Sequence, residues 1–198
     1  MNYSSIKSYA KINLALNVTG KTSGLHQIES IVGFISLHDI ILIKKIQSKK
    51  HVISFNGKYS KNINKKNTIS KLLKILEKEK LLTDHRFEIK VKKYIPSKSG
   101  LGGGSMNAAN ILKYLIKKKF IKPSKSQLIS ICKIIGSDVA LGLNSTFTVL
   151  KSDNHFKEFK NCKKFYVLIV KPNFGCSTKE IYSGVKNFSK PKFSKLSK

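Results

Sequence analysis

The segment PSKSGLGGGSMNAANIL, Pro96 to Leu112, constrains the fold of this chain most, because four glycines lie directly before a strong helical pattern. Glycine permits left-handed backbone conformations and a close approach of the backbone to a ligand. The free N–H groups and the positive dipole end of a helix that begins here favour an anion. The segment therefore predicts a phosphate-binding turn, typical of nucleotide sites, and the alternative is a flexible turn before a helix.

The two best-known glycine-rich nucleotide motifs do not fit this spacing. A P-loop ends in Gly-Lys-Ser/Thr, but Gly104 is followed by Ser105 and Met106. A dinucleotide fingerprint has a third glycine where Ser105 stands, within an early strand–helix–strand unit. The spacing therefore excludes both motifs and leaves open a phosphate-binding turn of another kind or a flexible turn before a helix.

Length, composition and charge limit the number of domains and the classes of function that this chain can have. A chain of 198 residues, 40% of them hydrophobic, has room for one large domain or two small ones. The net charge of +29 invites a nucleic-acid interpretation, but Arg86 is the only arginine, and arginine is the usual residue for phosphate and base-edge contacts. The lysines are spread along the chain without an interleaved aromatic surface, which argues against nucleic-acid binding. That function stays an alternative.

Cysteine usage and hydropathy indicate the compartment. Cys132, Cys162 and Cys176 show no metal-ligand spacing, and such a sparse, odd set is typical of a reducing cytosol. The chain lacks the apolar run of a signal peptide and any stretch near the ~20 residues of a membrane span. We therefore expect a cytoplasmic protein without a membrane partner. The histidines His38, His51, His85 and His155 lack metal spacing and are expected at the surface.

Alternating apolar residues predict strands, mostly in the first half of the chain. The predicted strands are Lys11–Val18, Ile28–Leu37, Ile40–Ile46, Val52–Phe55, a strand through Phe87 and Val91, Thr146–Leu150 and Phe165–Val170. His38 and Asp39 are assigned to a turn between the second and third of these strands.

Capping residues predict the helices and complete the fold class. One helix is predicted to begin at the N-cap Asn67 and a second directly after the glycine loop. A third begins at the capping box Ser124/Gln127 and ends at Gly136, and a fourth begins at the capping box Ser177/Glu180. From Lys186 the chain becomes rich in lysine and serine and loses periodicity. The order of elements predicts an α+β fold with a mostly antiparallel sheet backed by helices.

Five segments occur in an order that resembles a known family: AKINLALNVTG, GLHQIES, GLGGGSMNAAN, GSDVALG and PNFGCSTKEIY. From about Tyr9 to Tyr182 the chain resembles the 4-diphosphocytidyl-2-C-methyl-D-erythritol kinases, which are GHMP-type kinases of the non-mevalonate isoprenoid pathway. The Gly-Leu-Gly-Gly-Gly-Ser core is typical of GHMP kinases in general. The AKIN segment and the Gly-x-His loop narrow the resemblance to the 4-diphosphocytidyl-2-C-methyl-D-erythritol kinases among them. The resemblance implies a GHMP kinase N-terminal domain, of the ribosomal protein S5 domain 2-like type, over residues 1–185.

The resemblance implies an enzyme of isoprenoid (terpenoid) biosynthesis that uses ATP and Mg²⁺ to phosphorylate a hydroxyl of 4-diphosphocytidyl-2-C-methyl-D-erythritol. The family's catalytic lysine falls on Lys11 and its catalytic aspartate on Asp138, whose own context also allows an Asx turn or a helix cap. A carboxylate that accepts the hydroxyl proton suits phosphoryl transfer, as does a lysine that offsets phosphate charge and keeps the carboxylate ionised.

The resemblance also assigns binding residues. ATP binding falls on the loop residues Pro96, Ser97, Lys98, Ser99, Gly100, Leu101, Gly102, Gly103, Gly104, Ser105 and Met106. Their N–H groups would meet the phosphates, and the Ser105 hydroxyl would meet Mg²⁺ or a phosphate. Substrate binding falls on Asn13, on His26, which reads the cytosine, on Thr178, and on Tyr182, which stacks on the base or is a core aromatic. No metal site formed by the protein alone is implied.

The chain departs from the family at several positions. Leu25 stands where the family usually has tyrosine, and Lys98, Ser99 and Met106 depart from the usual loop. Family members continue into a second domain, so residues 186–198 are predicted to be a truncated end without that domain, produced by a premature stop or a frameshift. Three hypotheses follow: a kinase, an inactive remnant of that kinase, and a basic nucleic-acid-binding module.

Overall fold

The computed structural model describes residues 2–22, 25–61, 63–152, 155–159, 165–172, 175 and 178–193. Its strands in these ranges are β1 (Ser4–Thr22), β2 (Leu25–Ile46), β3 (Val52–Asn56), β4 (Arg86–Lys92), β5 (Phe147–Leu150) and β6 (Phe156–Phe159). Its helices there are α1 (Thr68–Lys78), α2 (Gly103–Lys117), α3 (Lys125–Ile135), α4 (Val139–Asn144) and α5 (Thr178–Ser183). None of these helices has the length and apolar character needed to cross a membrane.

The chain divides into two compact units. The first consists of Met1–Ala10, Ser36–Ser97 and Gly102–Ser145, and the second of Lys11–Ile35, Lys98–Leu101 and Thr146–Lys198. Both β1 and β2 run from one unit into the other, and so does the glycine loop.

The first unit is a sheet backed by helices. Within it β4 lies between β3, its parallel neighbour, and the C-terminal half of β2, with which it pairs antiparallel from Ile40–Lys92 to Ile46–Arg86. The core joins these strands to α1, α2 and α3, and includes Ile41, Ile43, Leu72, Leu76, Phe87, Ile89, Ile111, Leu112, Leu115 and Ile131. Cys132 belongs to this core, and burial raises the pKa of its thiol.

Two predicted helix starts are confirmed by individual hydrogen bonds. The Asn67 Oδ1 accepts the N–H groups of Ile69 and Ser70, and the Ser70 hydroxyl accepts the Asn67 N–H in return. Ser124 and Gln127 form the same reciprocal pair at the start of α3. Both capping boxes satisfy N–H groups that have no acceptor within their own helix.

The second unit contains the N-terminal half of β2. That half pairs antiparallel with β5, with Ser30 opposite Leu150, and β5 pairs antiparallel with β6. The backbone N–H of Ser189 donates to the Val18 carbonyl at 2.8 Å, and the backbone N–H of Lys192 donates to the Glu29 carboxylate at 2.8 Å. The predicted α+β fold with a mostly antiparallel sheet is therefore confirmed, with β3–β4 as a parallel exception.

Some strand predictions are wrong. β2 runs unbroken through His38 and Asp39, which were expected in a turn. Residues 165–170 form no strand, because no described segment pairs with them, and Tyr166 and Leu168 are largely exposed. β6 is absent from the predicted strands because its sequence, Phe-Lys-Glu-Phe, does not alternate apolar and polar residues. Ser177 lies outside the described residues, together with its half of the predicted capping box.

The expectation that His51 lies at the surface is also wrong, since its side chain is only 8% exposed. Its ring stacks on Phe87, and its Nδ1 accepts the Phe87 N–H at 3.0 Å. Burial lowers the pKa of His51 and Arg86 lowers it further, whereas Glu77, 3.4 Å from Nε2, raises it. The net direction is downward, so the folded protein favours the neutral ring.

We expect the free energy of unfolding to fall when the pH is lowered from about 7.5 to about 5. The pKa of His51 is lower in the folded protein than in the unfolded chain, so its stabilisation is present above the ordinary pKa of about 6.5. That stabilisation is lost as the pH falls through the folded-state value. Urea unfolding of the wild type and of His51→Gln at both pH values measures it. The decline should be smaller in His51→Gln, and equal declines would contradict the prediction.

Candidate functional site

The glycine loop leads into a helix whose N-terminus suits an anion. Gly102 precedes the first residue of α2 in a left-handed conformation, with φ of 67°, and makes no side-chain capping bond. Glycine adopts this conformation without a steric penalty. The N–H groups of the first helical turn have no acceptor within the helix, and they lie at the positive end of its dipole.

The loop residues differ in what they present to a ligand. Ser97, Lys98, Gly100 and Gly104 are exposed, Ser99, Gly102 and Ser105 are half-buried, and Pro96, Leu101, Gly103 and Met106 are buried. The Met106 N–H donates to the Gly102 carbonyl at 2.9 Å, and the Asn110 side chain donates to the Met106 carbonyl at 2.9 Å. The Met106 side chain is therefore part of the core of the first unit, and its role in ATP binding stays a prediction.

Asp138 stands at the start of α4. It is the N-cap residue but makes no side-chain capping bond, and it is half-buried. Gly136, two residues earlier, ends α3 as predicted, and a Cβ built there would lie 3.6 Å from the Ser105 hydroxyl oxygen. The first unit therefore brings the Ser105 hydroxyl beside the segment that leads to Asp138.

A close contact between helices fixes the position of α4. A Cβ built on Gly142 would lie 2.6 Å from the Ala109 Cβ and 3.1 Å from the Met106 sulfur. Ala109 and Met106 are fully buried in α2. Because only glycine permits this approach, Gly142 determines how near α2 the helix that follows Asp138 can lie.

Lys11 lies in the second unit beside two other predicted site residues. Its N–H donates to the Leu101 carbonyl at 3.1 Å, which ties β1 to the glycine loop. Its side chain is almost fully buried, and its Nζ donates to the Asn13 Oδ1 at 3.3 Å. The Ser30 hydroxyl lies 3.1 Å from the same Asn13 oxygen. Ser30 was not singled out from the sequence, although it belongs to the GLHQIES segment.

Aromatic side chains gather at another part of the second unit. The rings of His26 and Tyr182 stack with centroids 5.2 Å apart, and Phe188 lies 6.4 Å from His26. Tyr182 is half-buried, so it is not a fully enclosed core aromatic. Phe188 was missed because no motif surrounds it in the sequence. The side chains of Leu25 and Thr178 lie outside the described part of the structure.

Lys98 occupies a backbone conformation that favours glycine. Its φ is 54°, in the left-handed region. We expect Lys98→Gly to raise the free energy of unfolding by about 0.5 kcal/mol, because the relief of backbone strain exceeds the added entropy of the unfolded chain. Lys117→Gly, in the last turn of α2, is the matched control and should lower it by about 1 kcal/mol. Urea unfolding measures both, and a destabilised Lys98→Gly protein would contradict the prediction.

One cleft of the first unit contains none of the predicted site residues. It has a volume of about 350 Å³ and is lined by His51, Ile53, Ser54, Phe55, Ser60, Ile63, Asn64, Lys65 and Asn67. Next to it, the Thr68 hydroxyl donates to the Gly104 carbonyl at 2.8 Å, so the start of α1 is tied to the first turn of α2. Within the described ranges, no three His, Cys, Asp or Glu side chains are grouped as metal ligands.

Comparison with known proteins identifies the family. Residues 67–150 match the GHMP kinases N terminal domain. Over 98% of its length the chain is 59% identical to the 4-diphosphocytidyl-2-C-methyl-D-erythritol kinase of Pelagibacter ubique, of which it covers 69%. This chain belongs to the 4-diphosphocytidyl-2-C-methyl-D-erythritol kinase family. The resemblance seen in its sequence motifs is therefore confirmed.

Other members of the 4-diphosphocytidyl-2-C-methyl-D-erythritol kinase family agree with this assignment. The kinase of that name from Clostridium beijerinckii is 36% identical over 180 residues, which are 89% of this chain and 63% of that protein. A crystal structure of a 4-(cytidine 5'-diphospho)-2C-methyl-D-erythritol kinase has a TM-score of 0.63 at 23% identity and shares the fold. The matched part is 79% of this chain and 55% of that chain. The chain therefore spans only part of the length of each of these kinases.

Proposed function

We propose that this chain uses ATP to phosphorylate a hydroxyl of 4-diphosphocytidyl-2-C-methyl-D-erythritol. The observation that carries the proposal is its 59% identity to the Pelagibacter ubique kinase of that name over 98% of the chain. The open N-terminus of α2 after the glycine loop supports ATP as the phosphate donor, because such an N-terminus binds phosphate oxygens. The sparse cysteines support a cytoplasmic location.

In the proposed reaction the substrate hydroxyl oxygen attacks the γ-phosphorus, and the bond from that phosphorus to the ADP oxygen breaks. Asp138 accepts the hydroxyl proton as general base. Lys11 offsets the negative charge that develops on the transferred group, and the first-turn N–H groups of α2 hold the phosphates. Mg²⁺ bound with ATP would supply positive charge at the phosphates, and the Ser105 hydroxyl would meet that Mg²⁺ or a phosphate.

The residues proposed to bind the substrate belong to the second unit. Asn13, whose Oδ1 accepts from Lys11, would face the methylerythritol, with Ser30 orienting the Asn13 amide. His26 would read the cytosine edge, while Tyr182 would offer its ring face and Thr178 would line the same pocket. Aromatic faces bind nucleobases by stacking, and the His26–Tyr182 pair already presents such faces.

The test is product formation by the purified chain with MgATP and 4-diphosphocytidyl-2-C-methyl-D-erythritol. Phosphorus NMR detects the new phosphomonoester, and reactions without the acceptor measure ATP hydrolysis alone. A chimera, in which the chain is followed by the part of the Pelagibacter ubique relative that it does not span, is assayed in parallel. Acceptor-dependent product is expected, and its absence from both folded proteins would overturn the proposal. Steeply salt-dependent RNA binding without turnover would favour the nucleic-acid alternative.

A further inference from the structure

Asp39 lies at the centre of a buried polar cluster in the first unit that the proposed reaction does not use. Its side chain in the middle of β2 has no exposed surface, and its ion-pair partner Lys93 is only 4% exposed. A buried ion pair is favourable only when further hydrogen bonds satisfy the remaining sites of both charges. The other partners of Asp39 therefore indicate what the cluster holds in place.

The two carboxylate oxygens of Asp39 accept hydrogen bonds from four donors. Its Oδ1 accepts the N–H groups of Tyr94 at 2.8 Å and Ile95 at 2.9 Å. Its Oδ2 accepts from the Lys93 ammonium and from the Asn107 amide, the latter at 2.9 Å. A carboxylate has about four acceptor positions, so Asp39 has none left for a ligand.

These donors lie on both sides of the glycine loop. Tyr94 and Ile95 follow the end of β4 and lead into the loop, whereas Asn107 lies in α2 just after it. Beyond the β4 ladder, Asp39 supplies the acceptor that the buried Ile95 N–H requires. A single carboxylate therefore connects the backbone that enters the loop to the helix that leaves it.

Gly103 gives independent evidence that these two sides lie in contact. A Cβ built there would lie 2.9 Å from the Ile95 Cγ2 and 3.2 Å from the Lys93 Nζ. The first residue of α2 therefore lies directly against two residues of the segment that Asp39 anchors. This close approach needs both the missing side chain at Gly103 and the fixed position of the segment that contains Lys93 and Ile95.

We propose that Asp39 is a positioning residue of the glycine loop, which holds the first turn of α2 in register with the end of β4. The inference rests on the proposed ATP site, because ATP phosphates would meet the N–H groups of that turn. Asp39 acts through Tyr94, Ile95 and Asn107 and does not touch the ligand.

The variant Asn107→Leu tests the proposal, and we expect it to stay folded. It removes the bond on the helix side but keeps the Lys93–Asp39 pair, whereas replacing Asp39 would leave a buried lysine without a counter-charge. Tyr114→Phe is the control, because it removes one hydrogen bond from the same helix, to the Ser4 hydroxyl, two turns later. The two measurements are amide hydrogen exchange of Met106 and Ile95 without nucleotide, and the equilibrium dissociation constant for MgATP.

In Asn107→Leu the Met106 amide should exchange about tenfold faster, and the dissociation constant for MgATP should rise about tenfold, as expected for the loss of a hydrogen bond to a charged group. The Ile95 amide should stay close to its wild-type rate, because its bond to Asp39 remains. Tyr114→Phe should change neither measurement appreciably.

Two results would overturn the proposal: wild-type exchange and affinity in Asn107→Leu, or the same changes in Tyr114→Phe, which would indicate a general loss of stability. A wild-type chain that does not bind MgATP would instead contradict the proposed function. In that case the exchange rate at Met106 still decides the role of Asp39.

Discussion

Asp138→Asn is expected to reduce turnover about 1,000-fold while the protein stays folded. Asparagine has nearly the same shape as aspartate but cannot take up the proton that leaves the substrate hydroxyl. Asp138 makes no side-chain capping bond to α4, so the substitution removes no helix cap. Turnover with MgATP and 4-diphosphocytidyl-2-C-methyl-D-erythritol is measured in the chain, or in the chimera where only the chimera is active.

The matched control for Asp138→Asn is Asp84→Asn, the same chemical change at an exposed position of the first unit. Its turnover should equal that of the wild type. Urea unfolding and circular dichroism show whether both variants keep the fold. A folded Asp138→Asn protein with turnover near that of the wild type would rule out Asp138 as the general base.

Gly142→Ala is expected to lower the free energy of unfolding by about 2 kcal/mol, even though alanine is the better helix former. The new methyl group would lie 2.6 Å from the Ala109 Cβ, far inside van der Waals contact, and neither helix backbone can yield cheaply. The strain moves α4, which begins next to Asp138, so turnover should fall as well. Urea unfolding measures the change in stability.

A double-mutant cycle separates this steric clash from other effects. Ala109→Gly alone should cost about 1 kcal/mol through helix propensity, but combined with Gly142→Ala it removes the atom that clashes. The double variant should therefore be more stable than the sum of the single changes predicts. Gly184→Ala is the neutral control, since its Cβ would meet only the Ile181 carbonyl, at 3.6 Å. Strict additivity in the cycle would show that contact with Ala109 is not the cause.

Features encoded by neighbouring residues were predictable from the sequence. The N-cap at Asn67 and the capping box at Ser124 are confirmed because all their donors and acceptors lie within four residues of chain. The helix after the glycine loop is confirmed for the same reason. Segment 165–170 shows the limit of local patterns, because an apolar run forms a strand only when another strand supplies its hydrogen bonds.

Features built from distant residues were not predictable. Asp39 was assigned to a turn because Asp favours turns, yet Lys93, Tyr94, Ile95 and Asn107 surround it within the fold. No local pattern links a residue in β2 to both sides of a loop so far along the chain. Similarly, the contact of Phe188 with His26 joins two ends of the sequence. The chain motifs indicated the candidate site residues, but not the side chains that hold them.

The division of β2 between two sets of partners has a consequence for biosynthesis. The C-terminal half of β2 can pair once β4 has left the ribosome. The N-terminal half, which contains Ser30, can pair with β5 only after Leu150 has been synthesised. At synthesis rates of about 5–20 residues per second, the roughly 60 residues from the end of β4 to Leu150 take about 3–12 seconds to make. During that time one edge of the nascent strand, around Ile31 and Val32, stays open to pairing with other chains. Aggregation during translation should therefore begin in the second unit, before β5 is made.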